Sequence, residues 1–195
     1  MTAKDKDTIR GRPRNVDTTH ALLTATLEVV AQRGYHEASI DEIVERAGSS
    51  KPTVYRRWHT KPALVAAAMR HAFDSAGQNA PCSGDPHHDL GVAMESVVTL
   101  FARPSFSGAF RALIGVATTE PELALAMERM KHERQDVLHG TLERVFKAPG
   151  AAEVASQMLI GGLLMRVVQN RPVTKRFGKA MVDIIFPPRK TPPVK

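Results

Sequence analysis

The chain has 195 residues, enough for one large domain or two smaller ones, and its 43% hydrophobic content can supply a sizeable core. Aromatic residues make up only 5%, so Leu, Val, Ala, Met and Ile must build that core, and a formal net charge of +7 favours an anionic partner, either nucleic acid or a membrane surface. The single cysteine, Cys82, excludes an intramolecular disulfide and fits a reducing compartment. The charged N-terminus lacks the apolar run of a signal peptide. The longest apolar stretch, Met158 to Met165, falls far short of the about 20 residues a bilayer-spanning helix needs, so a soluble cytoplasmic protein without membrane contact is expected.

Strand signals are nearly absent and helical ones recur, which predicts an all-α fold of about nine helices. Residues 1–14 read as a flexible basic arm in which Arg10, Arg12 and Arg14 form a cluster free of acids. Asp17 is placed to cap a first helix whose apolar side runs Leu22, Thr26, Val29 and Val30 and which ends at Gly34. Ser39-Ile-Asp-Glu42 has the spacing of a capping box and opens a short second helix carrying Ile40, Ile43 and Val44, closed by Ala47-Gly48. Ser50-Lys51-Pro52 and Thr60-Lys61-Pro62 then repeat one start signal: a hydroxyl to cap, and a proline in the first turn where its missing N–H costs nothing. Pro62 limits the helix begun at Ser50 to about two turns, so residues 15–60 read as a three-helix, helix-turn-helix DNA-binding domain. A linking helix runs from Lys61 to about Gly77 and a Pro/Gly-rich linker spans 78–86. Five further helices are expected over 87–103, 105–118, 120–147, 151–170 and 173–186, punctuated by Pro104, Pro121, Pro149-Gly150 and Pro172. Residues 61–186 thus read as the linking helix and a helical C-terminal domain, and the Pro- and Lys-rich tail 187–195 reads as disordered.

A two-turn helix presented after a glycine turn can enter the DNA major groove. Lys51, Thr53 and Tyr55 stand early enough on it to reach bases or phosphates. Arg56, Arg57 and Lys61 supply phosphate-neutralising charge, and Val54 and Trp58, at i and i+4, form the inward side. Gly34-Tyr35, Ser39-Ile-Asp-Glu-Ile43, Ala47-Gly-Ser-Ser-Lys-Pro-Thr-Val-Tyr-Arg-Arg-Trp58, Lys61 and Leu64 together resemble the DNA-binding signature of the TetR family over residues 15 to 70. The Tyr-Arg-Arg-Trp form looks like one subset of that family; many members have Gly at the position of Pro52 and Phe at that of Trp58. The resemblance implies that Lys51, Pro52 and Thr53 meet bases and that Tyr55 meets a base or the backbone. It also implies that Arg57 and Lys61 meet phosphate and that Ser39 touches phosphate from the start of the second helix. Arg14, Ser50 and Arg56 complete the expected DNA-binding set, Arg56 at a more variable position.

The same resemblance implies that residues 61–186 are the linking helix and a ligand-binding and dimerisation domain, a sensor whose last two helices pair with a second subunit as a four-helix bundle. Ala155, Met158, Leu159, Gly162 and Met165 form one stripe, and Phe177, Met181, Ile184 and Ile185 another, with Gly162 open to the close approach of a facing helix. The alternative is that both stripes belong to the intrachain core. A ligand cavity is expected between the helices starting near His87, Ser105 and Glu120, lined by Met94, Val98, Phe101, Phe106, Phe110, Met127 and Met130, mobile or aromatic types that serve equally as core. His132, Asp136 and His139 share a helix face with metal-ligand spacing, but Leu123, Met127, Met130, Val137 and Val145 mark the opposite side as buried, so that face reads as solvated and no metal is expected. Cys82 with His87 and His88 is the one nucleophile-like cluster; without a third group it reads as linker, so neither enzymatic activity nor a cofactor is expected. Arg134 and Arg166 each interrupt an apolar stripe, as interface arginines or as anchors of an acidic ligand. The expected protein is a ligand-responsive transcriptional regulator, a repressor that binds double-stranded, palindromic operator DNA as a homodimer and is released by a small-molecule effector. The alternative is a DNA-binding dimer without a ligand, and an activator would carry the same residues.

Overall fold

The computed structural model describes residues 13–76, 82–132 and 136–187. Among them the chain is all-α, with ten α-helices and one 3-10 turn where about nine helices were expected. They are α1 (Pro13–Arg33), α2 (Ile40–Arg46), α3 (Lys51–Arg57), α4 (Lys61–Ser75), α5 (Pro86–Phe101), α6 (Pro104–Ile114), a 3-10 turn (Val116–Thr118), α7 (Pro121–His132), α8 (Asp136–Val145), α9 (Ala151–Val168) and α10 (Lys175–Ile185). The segment expected as one helix over 120–147 is described as α7 and α8 on either side of residues 133–135, which lie outside the described residues; α7 packs on α4, whereas α8 packs on α5 and α9.

Proline opens helices here more often than any capping side chain does. It stands in the first turn of α3, α4, α5 and α6, where fixed φ is an advantage and no amide partner is lost. The same preference overturns the expected start of α1. The helix begins at Pro13, so Asp17 lies one turn inside it, exposed, rather than at its cap. Arg14 therefore belongs to the first turn of α1, not to an arm, and its side chain lies outside the described residues, as do residues 1–12 and the tail from 188.

A single core runs from Leu22 to Val182. α4 is its axis: Leu64, Val65, Ala68 and Met69 are fully buried, with α1 and α7 packed against the helix. α1 also lies along α6, and Gly108 is the reason they approach so closely. A Cβ on Gly108 would stand 2.8 Å from the Cβ of Ala31, closer than real carbon atoms pack. Phe73 of α4 and Phe101 of α5 meet Phe106 edge-to-face, with centroids 5.1 and 5.2 Å away, and Phe110 closes the group. The N-terminal helices and the C-terminal bundle are thus joined by packed side chains.

Candidate nucleic-acid interface

α1 ends where Gly34 adopts φ +81°, a conformation that costs a glycine little. At α2, the Ser39 hydroxyl accepts from the Glu42 amide at 3.1 Å, as the capping-box spacing predicts. The Glu42 carboxylate meets Arg33 of α1 and Arg46 one turn on, bracing α2 against α1. The chain then reverses through Gly48, at φ +59°, into α3. α3 departs from expectation in its cap: the Ser50 hydroxyl makes no bond to a first-turn amide and lies 3.0 Å from that of Thr53. α4 follows the expected pattern, Thr60 accepting from the Ala63 amide at 3.3 Å.

Val54 is buried and Trp58 half-buried against the core, which fixes the roll of α3. Lys51, Pro52, Tyr55 and Arg56 are consequently exposed, and Thr53 and Arg57 are half-buried. Ser39 and Ser50 are exposed at the starts of α2 and α3. Asp41, which sequence reasoning did not single out, lies 2.7 Å from the Lys51 ammonium. The bond to its carboxylate, then its charge, hold the Lys51 pKa above the ordinary lysine value. Lys61, the expected phosphate contact, is half-buried at the start of α4. Its ammonium donates to the His36 carbonyl at 3.1 Å and sits 4.6 Å over the Tyr35 ring. Burial pushes its pKa down, against the opposing charges of Glu120 and Glu37. Burial likewise raises the pKa of the Tyr35 hydroxyl, helped by Glu120 and Glu122.

A short, solvent-facing cationic helix delivered by a glycine turn is the geometry of a DNA reading head. The family described as "Bacterial regulatory proteins, tetR family" matches residues 22–68, and "Tetracyclin repressor-like, C-terminal domain" matches residues 80–185. The chain belongs to the TetR family. An uncharacterized HTH-type transcriptional regulator from Mycobacterium bovis is 27% identical over 177 residues, covering 87% of this chain and 86% of that protein. YdeS, an uncharacterized HTH-type transcriptional regulator of Bacillus subtilis, is 32% identical over 90 residues, which are 46% of this chain and 41% of YdeS. Among solved structures, FadR from Bacillus subtilis in complex with stearoyl-CoA shares the fold with TM-score 0.71 at 14% identity, over 85% of this chain and 96% of that one. This TetR-family chain is therefore a helix-turn-helix, DNA-binding transcriptional regulator, and the family is not one of enzymes.

The TetR-family C-terminal helices divide the residues of the expected dimer stripe. Ala155 and Leu159 of α9 are buried with Ala152, Leu163 and Val167 in the chain's own core, so they are not free for a partner. Gly162 is also turned inward: a Cβ there would stand 2.5 Å from the Met181 methyl of α10 in the same chain. Phe177, Met181 and Ile185 pack against the core, whereas Ile184 is 78% exposed. The exposed face of α9 instead carries Val154, Met158, Gly161, Met165 and Val168. Sequence reasoning named Met158 and Met165 of that row and assigned them to a neighbouring face. By length and composition alone α9 is apolar enough to cross a bilayer, a test that the core helix of a soluble protein also passes; here its apolar residues are divided between the core and the exposed row. Arg166 donates to the Pro172 carbonyl at 2.9 Å and stacks 4.4 Å over Phe177, so it clamps the turn between α9 and α10. Arg134 lies outside the described residues.

Of the expected ligand residues, Met94, Val98, Phe101 and Phe106 are buried, Phe110 and Met127 are half-buried, and the Met130 side chain lies outside the described residues. A groove of about 440 Å³ runs between α5 and α10 and not among the three helices expected to enclose a cavity; Met94, Val98 and Val182 lie in its floor and Arg176 at its rim, and Phe101, Phe106, Phe110 and Met127 do not line it. His87 reaches across to Asp183 at 3.0 Å, which accounts for it without Cys82. His139 pairs with Glu143 at 3.4 Å; the side chains of His132 and Asp136 lie outside the described residues. Among the described residues, no three His, Cys, Asp or Glu side chains are gathered to hold a metal.

Proposed function

We propose that this regulator binds a palindromic operator as a homodimer, represses from it, and is released by a small-molecule effector. The spacing of the exposed row on α9 carries the dimer. Residues 154, 158, 161, 165 and 168 alternate steps of four and three, the repeat with which two helices keep an apolar seam facing each other. A row of Val and Met with a bare glycine at its middle fits a second copy of the same helix, with Ile184 of α10 beside it. A two-fold dimer presents two α3 helices, and two-fold heads match a two-fold operator.

The effector is supported by the groove between α5 and α10, whose 440 Å³ falls within the size range of small-molecule sites. Met94 and Val98, two of the expected ligand residues, lie in its floor. FadR, which shares this fold, was solved with stearoyl-CoA, so that compound is the first probe. The experiment is to select bound duplexes from a random-sequence pool, then titrate stearoyl-CoA and a panel of smaller apolar acids into the complex. Dissociation at saturable ligand concentration is the expected result. A complex indifferent to the whole panel favours the alternative, a dimeric regulator without a ligand.

A further inference from the structure

We infer that Glu122, on the sensor helix α7, is a positioning residue for the DNA-binding head: it holds α4 by its first turn through Thr60 and so sets the orientation in which α3 is presented. The inference rests on the dimeric operator-binding reading above and adds a residue to it. Thr60 and Glu122 are 62 positions apart in sequence, and the Thr60 hydroxyl donates to the Glu122 carboxylate at 2.5 Å. The same hydroxyl accepts from the Ala63 amide, so one oxygen both starts α4 and ties it to α7. Thr60 is only three residues past the end of α3, and Trp58 between them is anchored in the core. A displacement of α7 therefore acts on the chain immediately after the reading helix.

The surroundings make the contact more than an incidental surface pair. Tyr35 is 6% exposed, and the Lys61 ammonium lies over its ring while donating to the His36 carbonyl. The turn after α1, the start of α4 and the start of α7 thus meet at one point, and Glu120 and Glu122 both act electrostatically on Tyr35. α7 packs along α4 beyond this contact, so the tie lies at the end of a packed seam, where a small rotation gives its largest displacement.

The two carboxylates allow a decisive test. Glu120 acts on Tyr35 and Lys61 through its charge, whereas Glu122 holds the Thr60 hydroxyl. Duplexes carrying the selected half-site twice, at the preferred spacing and at spacings one and two base pairs longer or shorter, would be bound by wild type, E122A, E122Q and E120A. Wild type should discriminate between spacings because its heads are held. E122A should lose most of that discrimination while keeping base preference within a half-site. E122Q retains an acceptor oxygen and should keep the discrimination, and E120A, with equal loss of charge, should keep it too. If E122A discriminates as wild type does, or if E120A loses as much as E122A, the positioning role is overturned. A wild-type protein indifferent to spacing overturns the dimeric reading itself, and the inference with it.

Discussion

The head and the C-terminal bundle use their side chains in opposite ways. In α2 and α3 the apolar residues are few; Ile43, Val44 and Val54 go inward, while Ser39, Ser50, Lys51, Tyr55 and Arg56 of the expected DNA-binding set are exposed. In α9 apolar residues occupy two faces, one closing the chain's own core and one in water. A helix of the first kind is complete once folded. A helix of the second kind leaves Met158 58% and Met165 55% exposed, an uncovered row that a second chain can bury. Surface chemistry that recognises a polymer can be polar and still be solvated in the free protein; surface that recognises another copy of itself is apolar and is not.

The largest expected effect breaks the two-face account of α9. Replacing Met158 and Met165 together by Arg would bury unpaired charge in the proposed seam, costing association about 3 kcal/mol or more. Sedimentation should show monomers with unchanged helicity, and operator binding should fall with the dimer. Leu159→Ala, one residue from Met158 but fully buried, should instead lower unfolding stability by about 2–5 kcal/mol and leave the folded protein dimeric. Chemical denaturation read beside sedimentation separates the two faces.

Adjacent glycines sharpen the same division at smaller amplitude. Gly161→Leu meets open space within the chain and should weaken the dimer. Gly162→Leu must displace the Met181 methyl and should cost about 1–3 kcal/mol of folding stability, with association little changed. On the head, Lys51→Ala should cost about 1–3 kcal/mol on the selected site and relax preference at one base pair per half-site. Lys61→Ala, its ammonium held over Tyr35, should leave base preference unaltered. Binding to single-base operator variants measures both.

The smallest effect concerns the seam between α1 and α4. The His71 Nε2 is buried without a hydrogen-bond partner, and the ring stands edge-on to His20 at 4.6 Å. Burial first, then His20, push the His71 pKa below its ordinary value of 6.5. A depressed folded-state pKa means that the unfolded chain takes up the proton first as pH falls. The stability His71 contributes is therefore complete above pH 6.5 and is lost below it. Urea midpoints at pH 7.5 and 5.5 should differ in wild type, and His71→Leu should narrow the difference.

Much of the head was legible in the sequence because its signals are local. Ser39 three residues before Glu42, Gly48 before a proline-opened helix, and Pro62 ten residues after Pro52 each constrain only their own turn, and the helices they imply are present. Proline also misled: Pro13 opens α1, and Asp17 attracted the cap because an acid before an apolar run is the commoner signal. The bundle was legible as helices but not as faces. Ala155, Leu159 and Gly162 are as apolar or small as Val154, Met158 and Gly161, and which row meets α10 or α5 depends on packing that no single-helix period contains. The contacts joining distant segments were invisible for the same reason. Nothing near Asp41 announces Lys51, and nothing near Thr60 announces Glu122.

The central claim is that two copies joined along α9 present two α3 helices to one operator. Analytical sedimentation of the protein at micromolar concentration, alone and with a duplex carrying two selected half-sites, tests it most directly. The account predicts a dimer in both samples, two chains on each duplex, and a monomer once Met158 and Met165 are both replaced by Arg. A wild-type monomer that binds a single half-site as tightly as the pair would contradict it.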